Sequence, residues 1–339
     1  MPRLATLLAV CVLALLASSG SASALPLYGY NAYQWPCWAG AYSPNECIGP
    51  TVYRWHSGSP VVYRFGVKQS LWGSDGSYYT RALQEMRSNG VEPFPILERG
   101  DLSPVDTEPE RRYDWYPWVR KVGEAFRQYG VQDYEIFNEP NAKDHWGTYP
   151  GDGYNYATAY CWAVWALKET GTTARMHLGG VARGNPAISQ QELVPEKRWL
   201  SLVKYYIDAN CRGIAIDGVS YHPYTQNANP DYNANELENL LWTFRGYMNT
   251  VGLQGSMIMA TEIGWNAPDS GSYDLQRRQL ASLFERCKNL YGTQLYLRAC
   301  YWFPLIDVPS QTNLPYGGLV TRYGEFKPAW YEFKARLGS

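Results

Sequence analysis

Two glutamates end apolar runs in the same way. Glu139 closes Tyr134-Glu-Ile-Phe-Asn-Glu139, ahead of Pro140 and Asn141, and Glu262 closes Met257-Ile-Met-Ala-Thr-Glu262, ahead of Ile263 and Gly264. Apolar surroundings raise the pKa of a carboxyl group and keep a proton on it for general-acid work. A second carboxyl, held ionised by hydrogen bonds, can act as a nucleophile. Two such groups about 5–5.5 Å apart are what double displacement at an acetal carbon needs. A lone glutamate at a strand end is more commonly a salt bridge or a helix cap. Two in matching contexts, beside Asn138 and Trp265, outweigh that reading.

Both glutamates need strands that end on one face. Short apolar runs alternate with longer helical patterns along the chain, the signature of β-α units and a parallel sheet. The pattern predicts strands over 27–31, 61–67, 91–97, 134–138, 174–179, 217–221, 257–262 and 298–303. Helices are expected over 78–89, 113–129, 154–170, 197–210, 234–251, 275–291 and 329–337. Gly90, Gly130, Gly171 and Gly292 stand where C-cap glycines belong. Eight strands in this alternation predict an α/β fold, a (β/α)8 TIM barrel. It would be a single domain over 25–339 with a disulfide-tied loop region after the first strand. Barrel enzymes carry their catalytic residues at the C-terminal ends of strands. Glu139 and Glu262 end the fourth and seventh, and the 123 residues between them make three units of 41. A doubly wound sheet would want a Gly-rich phosphate turn after an early strand, and the sequence has none. Glu135 shares a strand face with Glu139 at a period of two and reads as a polar residue of the barrel interior.

The ends and the composition bound the rest. Arg3, an apolar stretch over 4–16 and the small-residue run ending in Ala22-Ser-Ala24 read as a signal peptide over 1–24, so the mature chain is expected to be secreted. Cys11 lies within that stretch. The remaining cysteines, Cys37, Cys47, Cys161, Cys211, Cys287 and Cys300, are even in number, which favours disulfides in an exported protein. Pairing of sequence neighbours gives Cys37–Cys47, Cys161–Cys211 and Cys287–Cys300 among 15 possible arrangements. No C-x2-C, H-x-H or H-E-x-x-H spacing is present, so neither a metal nor any other cofactor is expected. The net charge of −1 argues against nucleic acid and against electrostatic membrane docking. Fourteen Trp and 29 Tyr stand against 9 Phe. Side chains with a flat apolar face and a polar tip suit a cleft lined for sugar rings, although more than half must be ordinary packing residues.

On the residues of its two glutamate segments, the chain resembles clan A of the glycoside hydrolases. Phe137-Asn-Glu-Pro-Asn141, with Trp146 shortly after, is similar to the acid/base strand of family 39 and its relatives. Thr261-Glu-Ile-Gly-Trp265 is similar to the nucleophile strand, and the segment from Tyr316 to Trp330 resembles the clan's final loop and helix start. The resemblance implies a retaining glycosidase with Glu139 as acid/base and Glu262 as nucleophile. It further implies Arg64 near the nucleophile, Asn138 on the sugar 2-hydroxyl, and His222 and Tyr224 from the sixth strand, the tyrosine donating to the nucleophile. Trp302 would lie beneath the sugar, and Trp146 and Trp265 would complete the substrate-binding set. The expected partner is a polysaccharide or oligosaccharide, cleaved by a monomer; endo action is the expectation, and exo action from a deep pocket stays open. The rival readings are a non-catalytic carbohydrate-binding barrel and a metal-dependent barrel hydrolase. For single residues the plain alternatives stay open: Arg64 paired to a core acid, His222 as an ordinary buried histidine, Trp302 as barrel packing.

Overall fold

The structure, a computed structural model, describes residues 28–32, 61–73, 76–100, 105, 107–142, 153–183, 193–307 and 314–337. The expected signal peptide, the Cys37–Cys47 pair and Trp146 lie outside these residues.

Eight parallel strands close on themselves in chain order. They are β1 (Tyr28–Ala32), β2 (Val61–Lys68), β3 (Val91–Glu98), β4 (Asp133–Asn138), β5 (Arg175–Ala182), β6 (Gly218–His222), β7 (Met257–Ile263) and β8 (Leu297–Trp302). β1 closes the barrel, with Tyr30 opposite Tyr63 of β2 and also opposite Trp302 of β8. The helices are α1 (Ser77–Ser88), α2 (Tyr116–Arg127), α3 (Gly153–Glu169), α4 (Glu196–Asn210), α5 (Pro230–Thr250), α6 (Tyr273–Leu290) and α7 (Pro328–Leu337). This is the (β/α)8 fold that the sequence pattern predicts.

The strand alternation sorts the core into two parts. Inside the barrel, Val62, Phe94, Met259, Ala299 and Tyr301 pack together as one buried cluster. The alternate residues, such as Tyr63, Phe65 and Val67 of β2 or Cys300 and Trp302 of β8, face the helices and join the large outer core. Helix faces answer them: α2 buries Trp118, Val119, Val122 and Phe126. The four glycines expected at C-caps all have left-handed φ, between 61° and 73°.

Two helices start earlier than the apolar periodicity suggests. α5 begins at Pro230, because Asn229 accepts from the Asp231 N–H as an N-cap and a proline suits the first helical position. The chain is already helical from Glu108, where Thr107 and Glu110 form a capping box, and reaches α2 through a π-helical turn over Arg111–Trp115. Two disulfides are as expected. Cys161–Cys211 ties α3 to the residue after α4, and Cys287–Cys300 ties α6 to β8.

Candidate active site

β4 does not keep its alternation to the end. Glu135 points into the barrel, yet Ile136 and Phe137 both join the outer core. Phe137 has φ 63° and stacks on Trp115 at 4.8 Å. That left-handed residue turns Asn138 inward and is followed by a second one, Glu139, at φ 44°. Non-glycine residues in this region are uncommon, and two so close together mark a backbone held by its surroundings. The surroundings are visible. The Tyr156 hydroxyl donates to the Ile136 carbonyl at 3.0 Å and accepts from the Gly179 N–H at 2.7 Å. Gly179 lies so close that an added Cβ would stand 2.3 Å from the Phe137 oxygen. Asn141 closes the turn. Its amide donates to the Ala182 and Val194 carbonyls and accepts from the Ala182 N–H at 2.8 Å.

Glu262, six residues into β7, is 4 % exposed and met by donors on both oxygens. Oε1 accepts from Arg64 Nη1 at 2.9 Å and from Asn31 Nδ2 at 3.0 Å, and Oε2 accepts from the Tyr224 hydroxyl. Glu139 is more open, and its Oε1 lies 2.8 Å from Nδ1 of His222. Nε2 of the same ring is 3.5 Å from Glu262 Oε1, so His222 spans the two glutamates. One carboxylate oxygen of Glu139, one of Glu262 and a nitrogen of His222 all fall within 4.8 Å of one another. His222 fits because β5 carries Gly180 beside it, where a Cβ would come within 2.2 Å of Nε2.

Arg64 underlies the whole arrangement. Its Nε and Nη2 pair with both oxygens of Glu135 at 2.8 and 2.6 Å, Nη2 also meets Asn138 Oδ1 at 2.6 Å, and Nη1 reaches Glu262. Glu135 is completed by the Ser220 hydroxyl and the Gly180 N–H, both at 2.8 Å. Burial alone would lower the Arg64 pKa. The charges and hydrogen bonds of Glu135 and Glu262 outweigh it and hold the guanidinium above its usual range. Burial raises the Tyr224 phenol well above its usual value, and the negative charges of Glu262 and Glu139 push it the same way, so it remains a donor.

Of the residues singled out in the sequence, Arg64, Asn138, Glu139, His222, Tyr224 and Glu262 come together. Trp302 does not. Ala299 and Tyr301 face the barrel axis, so Trp302, one residue on, faces α6. There it packs edge-on to Phe284, donates its ring N–H to the Gly317 carbonyl at 2.9 Å and is 0 % exposed. The aromatic ring of β8's end that approaches the site is Phe303, 6.5 Å from Tyr224. Trp265 is half-buried against the outer core, and its carbonyl accepts from Gln276. Asn31 also joins the site, although it belongs to neither glutamate segment. What marks it is its place at the C-terminal end of β1, in register with Arg64.

Among the described residues, Glu139, His222 and Glu262 are the one group with the donor atoms and proximity for a metal ion. Arg64 puts a cation 2.9 Å from Glu262, which opposes a second positive charge there.

No protein-family model matches the sequence, and no curated protein matches it. The fold is similar to that of a monomeric β-xylosidase from Caulobacter crescentus CB15, with a TM-score of 0.62 and 16 % identity over 91 % of this chain. An exo-β-1,4-mannosidase from Opitutaceae bacterium strain TAV5 aligns with a TM-score of 0.61 and 14 % identity over 92 %. A fungal β-1,4-galactanase aligns with a TM-score of 0.62 and 13 % identity over 90 %. The chain spans 67 % of the xylosidase, 59 % of the mannosidase and 98 % of the galactanase. At these identities the likeness is one of fold.

Proposed function

We propose that this chain is a retaining glycoside hydrolase, with Glu262 as nucleophile and Glu139 as acid/base. One observation carries the reading. Two carboxylates at strand ends come within 4.8 Å, one wrapped by three donors and the other more open. Oxygens that approach this closely suit double displacement, whose carboxyl groups stand about 5–5.5 Å apart, rather than the wider gap that admits a water between them. The donors on Glu262 fix its orientation, as a nucleophile aimed at one carbon requires.

In the first step a Glu262 oxygen bonds to the anomeric carbon while the bond to the leaving oxygen breaks, and Glu139 gives that oxygen its proton. In the second, Glu139 takes a proton from water, the water oxygen bonds to the anomeric carbon, and the Glu262 ester bond breaks. Asn138 has its carbonyl oxygen held by Arg64, which leaves its NH2 to meet the sugar 2-hydroxyl. The names of the fold's neighbours, β-xylosidase, exo-β-1,4-mannosidase and β-1,4-galactanase, support a β-linked glycan as substrate. We read the chain as one catalytic domain over 25–339, secreted after loss of residues 1–24, monomeric and acting within a polysaccharide.

The test is Glu262→Ala with and without azide. Turnover should vanish, and azide should restore it as a glycosyl azide of inverted configuration. Unchanged hydrolysis by Glu262→Ala would remove the assignment. A wild-type protein that binds glycans and releases no product would favour the non-catalytic barrel.

A further inference from the structure

Glu262 is held unevenly. A carboxylate has about four acceptor sites, two on each oxygen. Both sites of Oε1 are filled, by Arg64 Nη1 at 2.9 Å and Asn31 Nδ2 at 3.0 Å, and Nε2 of His222 stands 3.5 Å away. Oε2 takes one donor, the Tyr224 hydroxyl. Asn31 itself is only 1 % exposed, and its own carbonyl oxygen is buried without a hydrogen-bond partner. Turning the amide over would set that oxygen 3.0 Å from a carboxylate, a repulsive contact. The side chain therefore keeps its N–H on Glu262 and leaves a buried acceptor unpaired. An unpaired buried polar atom is destabilising and calls for an explanation other than packing. The backbone fixes the residue as well. Asn31 lies opposite Arg64 in the β1–β2 register, and its carbonyl accepts from the Leu305 N–H at 2.9 Å.

We propose that Asn31 is a positioning residue for the nucleophile: it fills the second acceptor site of Glu262 Oε1, so that Oε2 is the oxygen that attacks the anomeric carbon. The proposal rests on Glu262 being the nucleophile. Oε2 keeps one acceptor site open for the forming bond. The Tyr224 hydroxyl already on it steadies its orientation and can loosen as its charge passes into the new ester. Asn31 and Arg64 anchor the opposite oxygen, which stops rotation of the carboxylate about its last bond. Asn31 carries no charge, so it contributes a fixed dipole and does not titrate.

The groups that face Glu262 are Arg64 from β2, His222 and Tyr224 from β6 and the turn after it, and Glu139 from the end of β4, with Glu135 across Arg64. Only Asn31 can be changed among its donors without altering a charge or a proton carrier. The experiment compares wild type, Asn31→Ala and the isosteric Asn31→Asp. The probe is whichever 4-nitrophenyl β-glycoside among xyloside, glucoside, galactoside and mannoside wild type cleaves fastest, followed as kcat/KM against pH. Loss of the donor should move the acidic limb to higher pH in Asn31→Ala, and a second carboxyl should move it further in Asn31→Asp. Affinity for a neutral competitive inhibitor should stay within about threefold, and kcat/KM at the optimum should fall at least tenfold. Limbs that coincide for all three proteins, or a loss that lies in inhibitor affinity alone, would overturn the proposal. If Asn31→Ala does not fold, Asn31→Leu, uncharged and close in shape but without the donor, carries the test in its place. Azide rescue of Glu262→Ala separates the two ideas. Rescue with unmoved Asn31 limbs removes only the role of Asn31, and failure of rescue removes the nucleophile assignment beneath it.

Discussion

Arg64 grips Glu135 with a two-point contact, Nε to one oxygen at 2.8 Å and Nη2 to the other at 2.6 Å, and this aims its remaining nitrogen at Glu262. A fully buried acid thus sets the direction of the donor that reaches Glu262, the proposed nucleophile.

Arg64→Lys tests that relationship. An ammonium keeps the charge but cannot reproduce the planar fork, so it can serve Glu135 or Glu262 but not both in this geometry. Loss of one charged hydrogen bond is about 1.5–3 kcal/mol, or roughly ten- to a hundredfold in kcat/KM. Steady-state kinetics on an aryl glycoside should show that loss, and parity with wild type would mean that the charge alone suffices.

Glu139→Ala should separate leaving groups. General-acid help is typically about 10²–10⁴-fold, and an activated leaving group does without it. The variant should therefore lose most of its rate on an unactivated glycan and much less on a dinitrophenyl glycoside. Equal losses on the two would contradict the acid/base role.

The closing segment hangs on a buried ion pair. Lys327 donates to Asp307 at 2.8 Å and to the Tyr316 carbonyl at 3.0 Å, and Asp307 also accepts from the Gly318 N–H. Burial lowers the lysine pKa and raises that of the aspartate, each opposed by its partner. Lys327→Met leaves a buried carboxylate unpaired and should cost about 3–5 kcal/mol in urea denaturation. Lys327→Met with Asp307→Asn should recover much of it, because the amide still accepts from Gly318. No recovery would mean that the lysine acts through its carbonyl contacts instead.

Acid should loosen the barrel floor. Burial would raise the Asp133 pKa, but hydrogen bonds from Arg175 and His177 outweigh it and hold the group below its usual range. A depressed carboxylate contributes stability that is fully present above its unfolded pKa and is lost as pH falls through the folded one. Unfolding free energy should therefore drop from about pH 5 downward, and Asp133→Asn, less stable at neutral pH, should show a flatter acid slope. Identical slopes would assign the acid loss to other groups.

Much of this was legible in the sequence, and the misses are specific. Strand positions followed from apolar runs bounded by turn residues, and the two glutamates stood out because both runs end alike. Cys161–Cys211 and Cys287–Cys300 followed from proximity along the chain. Trp302 faces away from the site because Ala299 and Tyr301 take the axis side of β8, a choice that the local sequence does not mark. Period-two counting carried Glu135 and Glu139 onto one face, whereas the left-handed Phe137 breaks the alternation between them, and no local sequence signal announces it. Asn31 was hidden for a related reason: a single asparagine in a short strand acquires meaning only when the closed sheet brings Glu262 to it.

Trapping the glycosyl-enzyme tests the central claim most directly. A 2-deoxy-2-fluoro dinitrophenyl glycoside of the preferred sugar should inactivate the enzyme with release of one dinitrophenol per chain. Peptide mass analysis should then find the sugar esterified to Glu262. A sugar on another residue, or turnover with inversion and no covalent adduct, would contradict the account.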